Sequence, residues 1–252
     1  MKKIKYIFLL VILSGSLAAQ PDSLYKLIKV GNDLYAAGKY KHAIEMYQKV
    51  LDAGYQAPEL YYNIGNAYFR ANNLAKAIVN YERALRLDPT NAKIKANLDF
   101  ANQFVADRFE KVNEFFLKRW WHNLSLSLTA DTWAKISVAL FFVAMLGLWM
   151  FLFIKKTGWR KLGFASALIG VLLSALTLWL AVDNKRYFTK SNYAIVLDTT
   201  SVRSSPSDAG TELFILHEGV KIKVLNRNDG WYEVKLPNGS IGWIKVDDVE
   251  KI

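Results

Sequence analysis

Residues 136–154 read ISVALFFVAMLGLWMFLFI, and residues 162–182 read LGFASALIGVLLSALTLWLAV. Neither run holds a charged residue, and only KKTGWRK at 155–161 separates them. A bilayer core about 30 Å thick is crossed by roughly 20 apolar residues in a helix. In lipid the backbone must satisfy its own hydrogen bonds, so a helix is the expected form of each run. The alternative is two core helices buried inside a large soluble protein. The expectation is a transmembrane hairpin: one helix at 136–154, a loop at 155–161 and a second helix at 162–182. It divides the rest of the chain into residues 20–135 and 183–252, each large enough for a small core.

The formal net charge of +11 invites a nucleic-acid reading until it is located. Residues 20–117 hold 13 Lys/Arg against 11 Asp/Glu, and residues 183–252 hold 10 of each. The remaining excess sits in Lys2, Lys3 and Lys5, in Lys118, Arg119 and Lys135, and in Lys155, Lys156, Arg160 and Lys161, less Asp131. Positive charge there orients a chain in a bilayer. Neither soluble part carries the basic face that phosphate-backbone binding needs, so no nucleic-acid partner is expected. The chain has no cysteine, which excludes disulfides, thiolate catalysis and cysteine metal sites without fixing the compartment.

MKKIKYIFLLVILSGSLAAQ has a basic start, an apolar stretch and small residues before Gln20. This is a secretory signal pattern, expected to occupy residues 1–19, with cleavage after Ala18 or Ala19. Cleaved or not, it directs the following chain outward.

Residues 30–51, VGNDLYAAGKYKHAIEMYQKVL, align with residues 64–85, IGNAYFRANNLAKAIVNYERAL, at an offset of 34. Gly31 pairs with Gly65, Asn32 with Asn66, Tyr35 with Phe69, Ala43 with Ala77 and Tyr47 with Tyr81. The period and pattern resemble the tetratricopeptide repeat, a helix–turn–helix unit. Leu87-Asp88-Pro89 ends the second repeat in that manner, whereas Ala53-Gly54-Tyr55 replaces the proline of the first. About three repeats are needed for a stable stack. Asn91 is the expected cap of a further helix carrying Ile94, Leu98, Ala101, Val105, Val112 and Phe116 on one apolar face. A repeat domain at 20–117 closed by this long capping helix is therefore expected. The resemblance implies a partner-binding groove formed by Asn32, Tyr35, Tyr62, Asn63, Asn66, Phe69, Arg70 and Lys93. Asn32, Asn63 and Lys93 fall where relatives that clamp a peptide carboxylate carry the same residue types, but Ile28 and Asn97 replace two basic positions of that clamp. The plainer alternative is that Asn32 and Asn66 cap local backbone and that Tyr35 and Phe69 pack between repeats.

Residues 118–135 read as an interfacial linker, with Trp120, Trp121 and Trp133 beside Lys118, Arg119 and Lys135. Thr129 or Asp131 is the expected cap of the first membrane helix. The 155–161 loop carries four basic residues, and together with the signal peptide this points to a cytoplasmic loop. Ser166, Gly170 and Ser174 form a small-residue stripe that permits close packing, against the first helix or against another protein. No Asp, Glu, His, Lys or Arg lies inside either run, so the helices read as anchors rather than a pathway.

Residues 190–252 change to short strands, with Val220, Ile222 and Val224 alternating and with turns at Asn228-Asp229-Gly230 and Pro237-Asn238-Gly239. Val202-Arg203-Ser204, Pro206, Gly219, Gly230-Trp231-Tyr232, Gly239 and Gly242-Trp243 resemble the bacterial SH3 domain. That resemblance implies a small all-β barrel that binds cell-wall peptide or tethers. Trp231, Tyr232 and Trp243 are the candidate groove, unless the barrel buries them as core.

His42, His122 and His217 are the only histidines and show no metal-ligand spacing; no phosphate-loop or nucleophile-elbow pattern exists. No catalytic residue, metal or cofactor is expected, and the chain does not read as an enzyme. The order of parts resembles the E-type member of the Bacteroides aerotolerance (Bat) family. That resemblance implies an inner-membrane protein with both soluble domains in the periplasm. Its implied partners are membrane-anchored von Willebrand A-type proteins and a MoxR-type ATPase, with a role in oxidative or envelope stress tolerance. Two functional classes follow: an interaction scaffold, or a cell-wall-sensing module driven by the SH3-like barrel.

Overall fold

A computed structural model describes residues 21–109, 115–189 and 192–252. The expected signal peptide and Val112 lie outside the described residues. The chain divides after Tyr55 into two compact units.

The first unit holds a helix pair, α1 (Pro21–Ala36) and α2 (Tyr40–Asp52). The repeat residues make the crossing possible. A Cβ on Gly31 would lie 2.5 Å from the Tyr47 ring, so only glycine lets that ring in. Tyr47 is 1 % exposed, and its hydroxyl donates to Asn32 Oδ1 at 2.7 Å.

The second unit opens with the second repeat, α3 (Pro58–Arg70) and α4 (Leu74–Leu87), followed by α5 (Ala92–Asn102). The same device recurs here. A Cβ on Gly65 would meet the Tyr81 ring at 2.7 Å, and Tyr81 donates to Asn66 Oδ1 at 2.8 Å. Asn91 caps α5 as expected, accepting from the backbone N–H groups of Lys93 and Ile94.

The capping helix is shorter than its periodicity predicts. It stops at Asn102, and residues 103–109 leave it to lap the β domain, where Val105 and Phe109 pack against the barrel core. Val105 therefore leaves the helix to pack between the barrel core and the repeat core. The seat is shaped by Gly219, at φ +87°, where a Cβ would lie 3.0 Å from Val105 Cγ2 and 3.1 Å from Ile78 Cδ1.

The linker before the apolar helices is also ordered, as α6 (Phe116–Leu126). Trp121 packs against Trp179 in a tilted pair with ring centroids 5.0 Å apart. Trp133, read from sequence as part of an interfacial belt, is instead buried beside Leu180 and Ala181, and its indole N–H donates to Ser125 O. Trp120 is the tryptophan of this segment that remains exposed, at 61 %. Asn184 is buried, and its amide donates to Ser125 O at 2.8 Å and Leu128 O at 3.0 Å. Asn184→Ala leaves the Leu128 carbonyl without this donor at a protected site, which costs roughly 1–3 kcal/mol. Faster amide exchange confined to α6 and the start of the next helix is the expected result. Unchanged exchange there would show that the aromatic contacts suffice.

Two long helices follow, α7 (Ala130–Phe153) and α8 (Thr157–Thr189). Thr129 caps the first, accepting from Thr132 N. Both are long and apolar enough to cross a membrane, and only 17 % and 22 % of their most apolar windows are buried. Phe141, Phe142, Leu146, Leu152, Leu168 and Leu172 are all more than half exposed, which a soluble core would not tolerate. The pair is consistent with membrane anchoring. The small-residue stripe is used within the pair: Gly170 lies against Ala144, and Ser137 and Ser174 exchange hydrogen bonds with each other's carbonyls at 2.9 Å.

The C-terminal domain is antiparallel throughout: β1 (Tyr193–Val196), β2 (Thr200–Arg203), β3 (Glu212–Leu216), β4 (Lys221–Asn228), β5 (Trp231–Lys235), β6 (Ile241–Lys245) and β7 (Val249–Lys251). Their order is β3-β2-β6-β5-β4-β1-β7. Asp229 and Gly230, both at positive φ, turn β4 into β5, and Gly239 at φ +92° turns β5 into β6. Ala194, Val196, Val202, Ile222, Val224, Val234 and Ile244 fill the core.

β1 is buried on both faces. Ala194 and Val196 point into the barrel, while Ile195, on the opposite face, packs with Ile252 against Ala75, Ile78 and Val79 of α4. The second repeat and the barrel therefore share one apolar core.

Candidate functional site

The repeat face is built on α3, where Tyr62, Asn63, Asn66, Phe69 and Arg70 recur at three- and four-residue steps. Asn97 of α5 reaches across and donates to Asn66 Oδ1 at 2.9 Å and to the Tyr62 hydroxyl at 3.1 Å. With the Tyr81 bond this makes a continuous network, Tyr62–Asn97–Asn66–Tyr81, tying α3, α4 and α5 together. The position that departs from the carboxylate-clamp pattern is thus committed to holding the helices in register. Asn66 thus accepts from two side chains of the fold, Tyr81 and Asn97.

Phe69 packs with Phe100 and Phe104 at ring-centroid distances of 5.7 and 5.6 Å. Phe100 and Phe104 are half-exposed or more, so this trio is a solvent-facing aromatic surface. Sequence reading missed both residues. The available signal was their four-residue spacing, off the Ile94–Leu98–Ala101 face of α5. Lys93 is exposed in the first turn of α5, and Arg70 is exposed in the last turn of α3. Amide, phenol and cation groups beside an aromatic surface suit a polypeptide partner that carries carboxylates.

In the first unit, Asn32 accepts the Tyr47 hydroxyl, and Tyr35 packs edge-on against Tyr40 at 5.3 Å. Burial, and secondarily Tyr35, pushes the Tyr47 phenol up to about 12. A raised folded-state value keeps the stabilisation complete below the unfolded value near 10 and removes it as pH rises toward 12. An alkaline melt of the intact chain should show the α1–α2 pair weakening between about pH 10 and 12, and Tyr47→Phe should flatten that dependence. The same slope in both proteins would assign it to other groups.

Of the three aromatics expected to line an SH3-like groove, Trp231 and Trp243 share the outer face of β5 and β6 as diagonal neighbours, and Tyr232 points away from them into the core. Trp231 and Tyr232 are both buried and, as neighbours on β5, point to opposite faces. Tyr232 belongs to the core, flanked by Arg227 and Lys251. Trp231 lies under the Lys245 ammonium, 5.5 Å from the ring centroid. Trp243 is half-buried and sits opposite both Glu233 and Arg203 in the sheet. Arg203 carries part of the SH3 resemblance in the sequence, but neither it nor Glu233 reads there as a groove residue, because their cross-strand register with Trp243 exists only in the folded sheet. Nearby, a hydrogen bond from Lys245 holds the Asp208 carboxyl below its ordinary value.

Electrostatic pairs frame the repeat–barrel joint. Glu250 receives both Lys76 and Arg83, the latter at 2.9 Å. Lys221 meets Glu82 at 2.7 Å. Asp107 accepts from His217 N at 2.7 Å, and its other oxygen lies 2.9 Å from His217 Nδ1. Among the described residues, no group of three His, Asp or Glu side chains is placed to hold a metal ion.

Residues 58–91 match the tetratricopeptide repeat family, residues 31–72 match a TPR repeat family, and residues 198–250 match the bacterial SH3 domain. No curated protein matches the chain. Tetratricopeptide repeats mediate protein–protein interaction and bacterial SH3 domains are associated with cell-wall binding; both are typically non-catalytic modules. This chain joins helical repeats to a bacterial SH3 domain through two long apolar helices.

Proposed function

We propose that this chain is an inner-membrane scaffold that holds partner proteins on the periplasmic side. By resemblance it is a component of a Bat-type assembly with von Willebrand A-type proteins and a MoxR-type ATPase, serving aerotolerance or envelope stress tolerance. One observation carries the scaffold reading. The barrel, which follows the apolar helix pair, packs on α4, which precedes it, through Ile195, Ile252 and Glu250. Such a contact requires both to lie on one side of the membrane. The hairpin geometry supports this, and the four cations at 155–161 support a cytoplasmic turn. A periplasm-active reporter inserted at Gln103, at Thr157 or at the C-terminus should read on, off and on. Any other pattern overturns the arrangement.

The test of scaffolding keeps the chain whole, because separating barrel from repeat would expose Ile78 and Ile195. A photo-crosslinking residue at Asn63, Arg70 or Lys93 should capture protein partners in membranes. The second reading, cell-wall binding by the barrel, is favoured by the bacterial SH3 match and by the half-buried Trp243 between Arg203 and Glu233. Capture of wall material at Trp243, with nothing captured at the repeat positions, would replace the first reading with the second.

A further inference from the structure

At the turn between α7 and α8 lies a cavity of about 290 Å³ lined by Phe151, Thr157, Arg160, Lys161 and Phe164. Its walls differ in chemistry. Phe151 and Phe164 pack at 5.5 Å and form an apolar side continuous with the outer surface of the two helices. Arg160 and Lys161 form a cationic side, the Arg160 guanidinium lying 5.5 Å from the Phe151 ring centroid, and Thr157 adds a hydroxyl.

Among the described residues, none near this recess supplies a counter-charge. No Asp or Glu occurs from Thr132 to Val182. The carboxylates of the repeat–barrel joint follow or precede the far ends of helices of 24 and 33 residues, roughly 35–50 Å away at 1.5 Å per residue. An anion attached to an apolar body would match both walls of this recess.

We propose that this cavity binds an anionic phospholipid of the bilayer. The phosphate sits between Arg160 and Lys161, the Thr157 hydroxyl donates to it, and the first acyl methylenes lie along Phe151 and Phe164. Basic recesses between membrane helices are suited to such headgroups. The proposal rests on the membrane reading of α7 and α8, and goes beyond it by assigning a lipid class and its ligands.

The test uses the full-length chain in nanodiscs of phosphatidylcholine containing a minor fraction of phosphatidylglycerol, followed by detergent extraction and native mass spectrometry. Retained phosphatidylglycerol should exceed its share of the bilayer by about thirtyfold, as two headgroup-level cations at about 1 kcal/mol each imply. Arg160→Gln with Lys161→Gln should abolish the enrichment, whereas Lys155→Gln with Lys156→Gln, which removes equal charge outside the cavity, should preserve it. Equal loss in both double variants, or no enrichment in the native chain, overturns the site. Displacement of the lipid by inorganic phosphate at low millimolar concentration would show a free-anion site and also overturns the lipid assignment. A chain that fails to enter the nanodisc overturns the membrane premise itself, so the two failures are distinguishable.

Discussion

Gly147→Leu is expected to separate the two long helices. A Cβ at Gly147 would lie 2.2 Å from Ser166 Oγ, 2.8 Å from Ala167 N and 2.8 Å from Gly163 O. The serine can rotate away, but the two backbone atoms cannot move without moving α8. Reciprocally, a Cβ at Gly163 would meet Phe151 N at 2.7 Å and Gly147 O at 2.8 Å, so the helices touch backbone to backbone. Leucine there needs several ångströms of separation, which also breaks the Ser137–Ser174 bonds. The cost should exceed the roughly 1–3 kcal/mol of ordinary overpacking. The native chain has no cysteine, so a Ser137→Cys/Ser174→Cys pair reports the interface alone. The native hydroxyls are 3.1 Å apart, within reach of a disulfide on mild oxidation. Cross-linking should be efficient in that background, nearly absent after Gly147→Leu, and unaffected by Gly158→Leu, where a Cβ meets nothing within 4 Å. Efficient cross-linking in the Gly147→Leu protein would refute the packing argument.

Ile195→Asp is expected to detach the barrel from the second repeat while leaving the barrel folded. Ile195 is fully buried, yet it faces α4 and not the barrel core, which Ala194 and Val196 serve. An unpaired carboxylate in that seat costs several kcal/mol, on the order of 4 or more. The expected readout is rapid protease cleavage between residues 103 and 109, followed by two melting transitions in place of one cooperative unit. Glu250→Lys should give a milder form of the same result, because it sets a cation against Lys76 and Arg83 and removes two ion pairs. Adding Lys76→Glu should recover part of the loss, as a direct pair requires. Protease resistance in Ile195→Asp would mean that the ion pairs alone hold the joint.

Legibility followed the range of the interaction. The 34-residue offset paired Gly31 with Gly65 and Tyr47 with Tyr81, and each glycine meets the ring of its own repeat, because a small residue at a helix crossing and the ring that fills it are both written in the repeat. Turns at Asp229-Gly230 and Gly239 were legible for the same local reason: each needs a positive φ. The candidate sites were less legible. Asn66 and Tyr232 carry the residue types of binding groups, yet one is spent on Tyr81 and Asn97 and the other on the core. Phe100 and Phe104 gained their meaning only by meeting Phe69.

The sequence by itself determined the elements: repeats, apolar helices and strands, since each is set by periodicity, length and turn chemistry within some 35 residues. Tertiary structure alone decided the joint. The uninterrupted Ala194-Ile195-Val196 hinted at a strand covered on both faces, but nothing local says that α4 is the cover. Val105 continues the helical spacing of α5 and still leaves the helix, because the seat at Gly219, more than a hundred residues on, buries it better. Contacts between segments so far apart depend on surface complementarity, and that exists only once both have folded.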